Sequence, residues 1–142
     1  MIIRSPEGFI VQRRLDLPGM LVYPGMLQLF GGHANPGEEP AAAAKRELLR
    51  KTNLSAGDLE QLTYTGLEHY IGQGEEGEDI LRDASIFTLD LPSAENVETS
   101  TNENSRVVII PRTLESLGQY QGEMTPFAYM VLEKALQSER NG

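Results

Sequence analysis

The chain has 142 residues, no cysteine and a formal net charge of −9 at neutral pH. That length fits a single domain over residues 1–142 with a core made of side chains, and without cysteine there are no disulfides or thiolate metal sites. The acid excess excludes a general binder of duplex nucleic acid, which needs a basic face. No apolar run reads as a signal peptide or a membrane span, so the expectation is a soluble, cytoplasmic protein.

Residues 2–14 predict a hairpin. The turn signal Ser5-Pro6-Glu7-Gly8 separates Ile2-Ile3 from Phe9-Ile10-Val11. Arg13 and Arg14 end the second strand, either in solvent or towards an anionic ligand. Residues 15–25, with Pro18, Gly19, Pro24 and Gly25, predict a loop. Residues 26–30 predict a short apolar strand leading to Gly31-Gly32.

Residues 40–52 are rich in Ala, Leu, Lys, Arg and Glu and predict a helix. Pro40 suits its first position, and Asn53 suits a left-handed residue just past its end. Ala41, Ala44 and Leu48 form an apolar stripe at helical spacing, while Glu47, Arg50 and Lys51 share another face at i, i+3 and i+4.

A polar connection over residues 55–61 leads to a strand at 62–71, with Leu62, Tyr64 and Leu67 expected to point inward. The acidic, glycine-rich stretch 72–79 separates it from a second strand at 80–91, and the two predict an antiparallel pair. A turn-rich segment follows, then Arg106-Val107-Val108-Ile109-Ile110-Pro111, whose β-branched run predicts a buried strand. Thr113 to Leu117 predicts one helical turn. Thr125-Pro126 opens a final helix whose core stripe is Phe127, Met130, Val131 and Ala135, and whose tail from Ser138 is expected to fray.

The stretch from Gly31 to Leu54 organises the rest. Gly32 is followed after five residues by Glu38, and Glu38 after seven by Arg46-Glu47-Leu48. This spacing resembles the Nudix box, which reads G, five residues, E, seven residues, R-E-U, one residue, E-E, one residue, G-U, with U bulky and aliphatic. Leu54 also falls in register, but the paired glutamates are Arg50 and Lys51, and the closing glycine is Asn53. The resemblance extends along most of the chain and implies an α+β fold, an αβα sandwich with a mixed sheet flanked by helices.

It also implies metal-dependent hydrolysis of a nucleoside diphosphate linked to another group. In the family, glutamates at the positions of Glu47, Arg50 and Lys51 hold Mg²⁺ or Mn²⁺, a hard cation that wants oxygen ligands and that neutralises developing charge and activates water. Here only Glu47 remains as a metal ligand, and the catalytic remnants of the box are Glu38, Arg46 and Glu47. Two cations in place of two carboxylates reverse the local charge. The first expectation is therefore weak or absent hydrolysis, in a remnant that binds a nucleotide-type small molecule through Arg50, Lys51, Gly31 and Gly32. The second is an active Mg²⁺-dependent hydrolase with carboxylates from elsewhere: Glu75, Glu76, Glu78 and Asp79, or Glu98 and Glu103. The third is a protein-interaction scaffold. Glu38 and Arg46 could equally pair to fix the loop on the helix, His33 reads as a surface residue, and His69 has no evident partner. A homodimer is common in the family, and no membrane partner is expected.

Overall fold

The computed structural model describes residues 1–14, 25–74, 76–100 and 104–141. Strands β1 (Ile2–Ser5) and β2 (Gly8–Arg14) form the expected hairpin. Gly8 is needed where it stands, because a Cβ there would lie 2.3 Å from the carbonyl oxygen of Ile110 on the neighbouring strand. That strand is β6 (Ser105–Ile110), which pairs with one edge of β2 from Phe9 to Arg14. The other edge of β2 is shared by β1 and by β3 (Leu27–Gln28). β1 pairs in parallel with β5 (Asp79–Asp90), from Ile2 opposite Thr88 to Arg4 opposite Asp90. β5 in turn pairs antiparallel with β4 (Thr63–Gln73). The result is a mixed sheet of six strands.

Alternate residues of these strands feed two separate cores. Ile3, Ile10, Phe87 and Leu89 pack with Phe30 and with Ala44 and Leu48 of α1 (Pro40–Lys51). Ile2, Phe9, Val11 and Ile86 pack with Val131, Leu132 and Leu136 of α3 (Pro126–Asn141), beside α2 (Leu114–Gln119). Helices thus cover both faces of the sheet, as the αβα sandwich requires. Leu27 is fully buried in the second core.

Several expectations need correction. The apolar strand at 26–30 shrinks to Leu27–Gln28. In α1 the inward stripe is Ala43, Ala44, Glu47 and Leu48, and Ala41 faces solvent. Asn53 does not close the helix in a left-handed conformation: Thr52 is extended, and its N–H and hydroxyl both donate to the Leu48 carbonyl. The left-handed asparagine is Asn96, at φ 69°, whose carbonyl accepts from the Asn53 side chain.

Tyr64 and Leu67 are exposed, because a bulge between Tyr64 and Gly66 resets the register and the β4–β5 hairpin extends past the core. β6 is an edge strand with Ile109 partly exposed, rather than a buried one. The stripe of α3 is centred on Ala128, Val131, Leu132 and Leu136, with Phe127, Met130 and Ala135 only partly covered, and the helix continues to Asn141. The loop expected at 15–25 falls, apart from Gly25, outside the described residues.

Candidate functional site

The chain reaches α1 through a loop built to present it. Glu38 donates its N–H to the Asn35 carbonyl, Gly37 takes φ +78°, and Pro40 occupies the first turn. The Glu38 carboxylate accepts from the Asn35 N–H at 2.9 Å and from Arg46 Nε and Nη2, each at 3.0 Å. Arg46 Nη2 also donates to the His33 carbonyl at 2.9 Å. One guanidinium therefore ties the loop to the second turn of the helix. The Arg46 hydrogen bonds, and then that of the Asn35 amide, hold the Glu38 carboxyl below its ordinary value.

Glu47 lies inward, its side chain only 7% exposed. Its Oε1 accepts from Arg46 Nη1 at 2.6 Å, its Oε2 accepts from Arg50 Nη2 at 2.7 Å, and the Lys51 ammonium stands 3.4 Å from Oε2. Burial alone would push this carboxyl up. The hydrogen bond from Arg50, the charge of Lys51 and the hydrogen bonds from Arg46 and Lys51 together outweigh burial and hold it below its ordinary value. Lys51 also donates to the Gly31 carbonyl, so it bridges helix and loop. Arg50 and Lys51 sit in the last turn of α1, where the helix dipole favours positive charge.

Gly32 completes this arrangement. A Cβ at residue 32 would fall 2.5 Å from both Cγ and Cδ of Glu47, while one at Gly31 would meet open space. The inward seat of the Glu47 carboxylate thus exists because residue 32 has no side chain. The box residues expected from the sequence are brought together, but as one ionic cluster: two carboxylates (Glu38, Glu47) and three cations (Arg46, Arg50, Lys51).

Among the described residues, the other acidic residues do not converge on it. Glu76 and Glu78 belong to the β4–β5 turn, where the Glu78 carboxylate accepts from the Glu76 N–H. Glu98 lies in the segment after β5, with its N–H on Asn53. Glu75 and Glu103 fall outside the described residues. Among the described residues no group of three His, Asp or Glu could hold a metal ion. Arg13 donates to the Gly25 carbonyl and pairs with Glu123 at 2.8 Å.

A cleft of about 610 Å³ opens beside the cluster, between the 28–34 loop and β5. Gly31, Gly32 and His33 line it, as do Tyr70, Arg82 and Phe127; Arg50 and Lys51 do not. Tyr70 and Phe127 stack with centroids 4.0 Å apart. No sequence signal pairs these two rings, because the contact depends on the hairpin reaching past the sheet to the start of α3. His69, without an evident partner in the sequence, meets Asp83 across the hairpin at 2.5 Å on an exposed face.

The NUDIX domain profile matches residues 1–127. The chain belongs to the NUDIX family. A search of curated proteins finds no match. Among solved structures, the chain is similar to a Francisella tularensis bifunctional NMN adenylyltransferase/ADP ribose pyrophosphatase complexed with AMP and a Mn ion. The TM-score is 0.69 at 18% identity, covering 96% of this chain and 39% of that one. A Caenorhabditis elegans Ap4A hydrolase gives 0.67 at 19% identity, covering 99% and 95% of the two chains. A MutT protein from Methanosarcina mazei gives 0.65 at 16%, covering 99% and 91%. At these identities the likeness is one of fold, and the chain spans well under half of the Francisella protein. The fold that this likeness covers joins, in this chain, a mixed sheet to helices on both faces. No described helix is long and apolar enough to cross a membrane.

Proposed function

We propose that this NUDIX-family protein binds a phosphate-bearing, nucleotide-type ligand and hydrolyses it weakly or not at all. The observation that carries this reading is the state of Glu47: both of its carboxylate oxygens are already within 2.7 Å of a guanidinium nitrogen. A divalent ion such as Mg²⁺ does not fit that donor set. It would need several hard oxygens, and among the described residues it meets one carboxylate, Glu47, beside three cations. A dication about 4 Å from a single fixed positive charge is repelled by about 8 kcal/mol at an effective dielectric near 20. Solvent screening lowers that figure, but a few kcal/mol already weakens binding by orders of magnitude.

The same charges suit an anion. Arg50, 57% exposed, is the more accessible of the two substituted cations and is assigned the phosphate contact, since a guanidinium matches phosphate oxygens in pairs. Lys51, committed to the Gly31 carbonyl, adds a point charge and holds the Gly31-Gly32 backbone where the ligand would lie. In this account the cations supply the charge neutralisation that metal supplies elsewhere in the family, without activating a water.

The test is ADP-ribose binding measured by calorimetry with chelator present. Affinity should persist in chelator and fall at least tenfold in the Arg50→Glu, Lys51→Glu double variant. Unchanged affinity in that variant removes the phosphate role, and metal-dependent turnover by the unaltered protein removes the loss of hydrolysis.

A further inference from the structure

β5 has a bare edge. β1 pairs with it only from Thr88 to Asp90, so the eight residues from Ile80 to Phe87 have β4 on one side and, among the described residues, no strand on the other. The direction of the backbone groups follows from two bonds. The Leu91 N–H donates to the Arg4 carbonyl on the β1 side, and the Ile86 carbonyl accepts from the Thr65 hydroxyl on the β4 side. Successive residues of a strand alternate edges, and the only bulge lies on β4. The N–H and C=O groups of Leu81, Asp83 and Ser85 therefore all face away from β4, into the cleft.

The part of that edge nearest β1 lies between two helix starts, while Leu81 and Asp83 are exposed where the hairpin runs past the core. Pro40, Ala43 and Ala44 stand on one wall of the cleft, and Thr125 and Phe127 on the other. We propose that this slot takes one extended segment of a partner polypeptide, added to β5 in line with β1. An unpaired row of backbone donors and acceptors is satisfied most directly by another backbone. The exposed run of about eight residues is about 25 Å long, and Pro40, Ala43, Ala44 and Phe127 give the walls an apolar part, which favours a segment rich in β-branched residues.

Charge refines the partner further. The turn at the far end of the slot carries Glu76, Glu78 and Asp79, so a basic residue belongs at the end of the segment that reaches it. A second folded copy of this chain is a poor occupant, because its own edge is flanked by helices and brings the same acidic turn. The slot shares the cleft that Gly31 and Gly32 line, but the inference uses neither Arg50 nor Lys51 and would survive failure of the phosphate reading.

The experiment uses the full chain and a labelled eight-residue peptide of valine and threonine with a lysine at each end, followed by fluorescence anisotropy and amide exchange. Binding in the micromolar range is expected. Methylating alternate peptide nitrogens should weaken it about tenfold or more, since each methyl group removes a backbone hydrogen bond. Exchange at Leu81, Asp83 and Ser85 should slow about tenfold, while Arg82 and Ala84, which already face β4, should not change. Ser85→Pro removes one slot-facing N–H at an edge position that tolerates proline and should also weaken binding. Equal binding of the methylated peptide, no binding at millimolar peptide, or a glutamate-ended peptide that binds as well overturns the proposal. So does protection of the three amides by self-association in the absence of peptide.

Discussion

Replacing Glu47 with glutamine is the most informative single change to the box. Glutamine keeps the shape and one acceptor but removes the charge on which Arg46 Nη1 and Arg50 Nη2 converge. The damage is bounded by what each cation retains. Arg46 keeps both bonds to Glu38 and one to the His33 carbonyl, and Lys51 keeps the Gly31 carbonyl. Arg50 is 57% exposed, so its share is discounted for solvent screening. What remains is the charge-assisted part of one part-buried bond, a smaller part of a second, and the repulsion among three cations left without their carboxylate. Together these come to about 2–3 kcal/mol. For a chain of this size that loss lowers Tm by about 5–10 °C.

The assay is reversible thermal or urea denaturation near neutral pH without added metal. The sign is the decisive part. In a site of gathered carboxylates awaiting a dication, removing one relieves repulsion and stabilises the free protein. Here it must destabilise. A Glu47→Gln protein as stable as the original, or more so, would refute the claim that Glu47 is neutralised internally.

Other outcomes follow from the same geometry. Gly32→Ala should cost about 1–3 kcal/mol, because its Cβ collides with the Glu47 side chain, whereas Gly31→Ala, which meets open space, should be close to neutral; paired urea titrations separate the two. The depressed carboxyls of Glu38 and Glu47 contribute stability that is full above their ordinary value of 4.5 and is lost as pH falls through the folded-state values. Urea midpoints between pH 7 and pH 3 should therefore fall steeply on the acid side, and less steeply in Glu47→Gln.

Much of the fold was legible because local chemistry and global packing agree. The Ser5-Pro6-Glu7-Gly8 turn, Pro40 at the start of α1 and the Thr125-Pro126 cap each mark a boundary found in the structure. The register of Gly32, Glu38 and Arg46-Glu47 was legible too, since helix spacing alone brings residues 46, 47, 50 and 51 together. What sequence could not supply is which way such residues turn. Ala41 and Ala43 are equally apolar, and only the sheet decides which is buried. Tyr64 and Leu67 read as core residues, but the bulge at Thr65 and the reach of the hairpin leave them in solvent. The edge of β5 left bare among the described residues was invisible, because an unpaired strand reads the same as a paired one. Likewise Gly32 looks like a loop glycine until the Glu47 carboxylate is found packed against it.

The central claim is that internal cations have taken the place of the divalent ion. Calorimetric titration of the unaltered protein with Mg²⁺, and then of the Arg50→Glu, Lys51→Glu protein, tests it directly. No heat of binding up to millimolar Mg²⁺ in the first, and measurable binding in the second, is the predicted result. Micromolar Mg²⁺ binding by the unaltered chain that disappears in Glu47→Gln would contradict it.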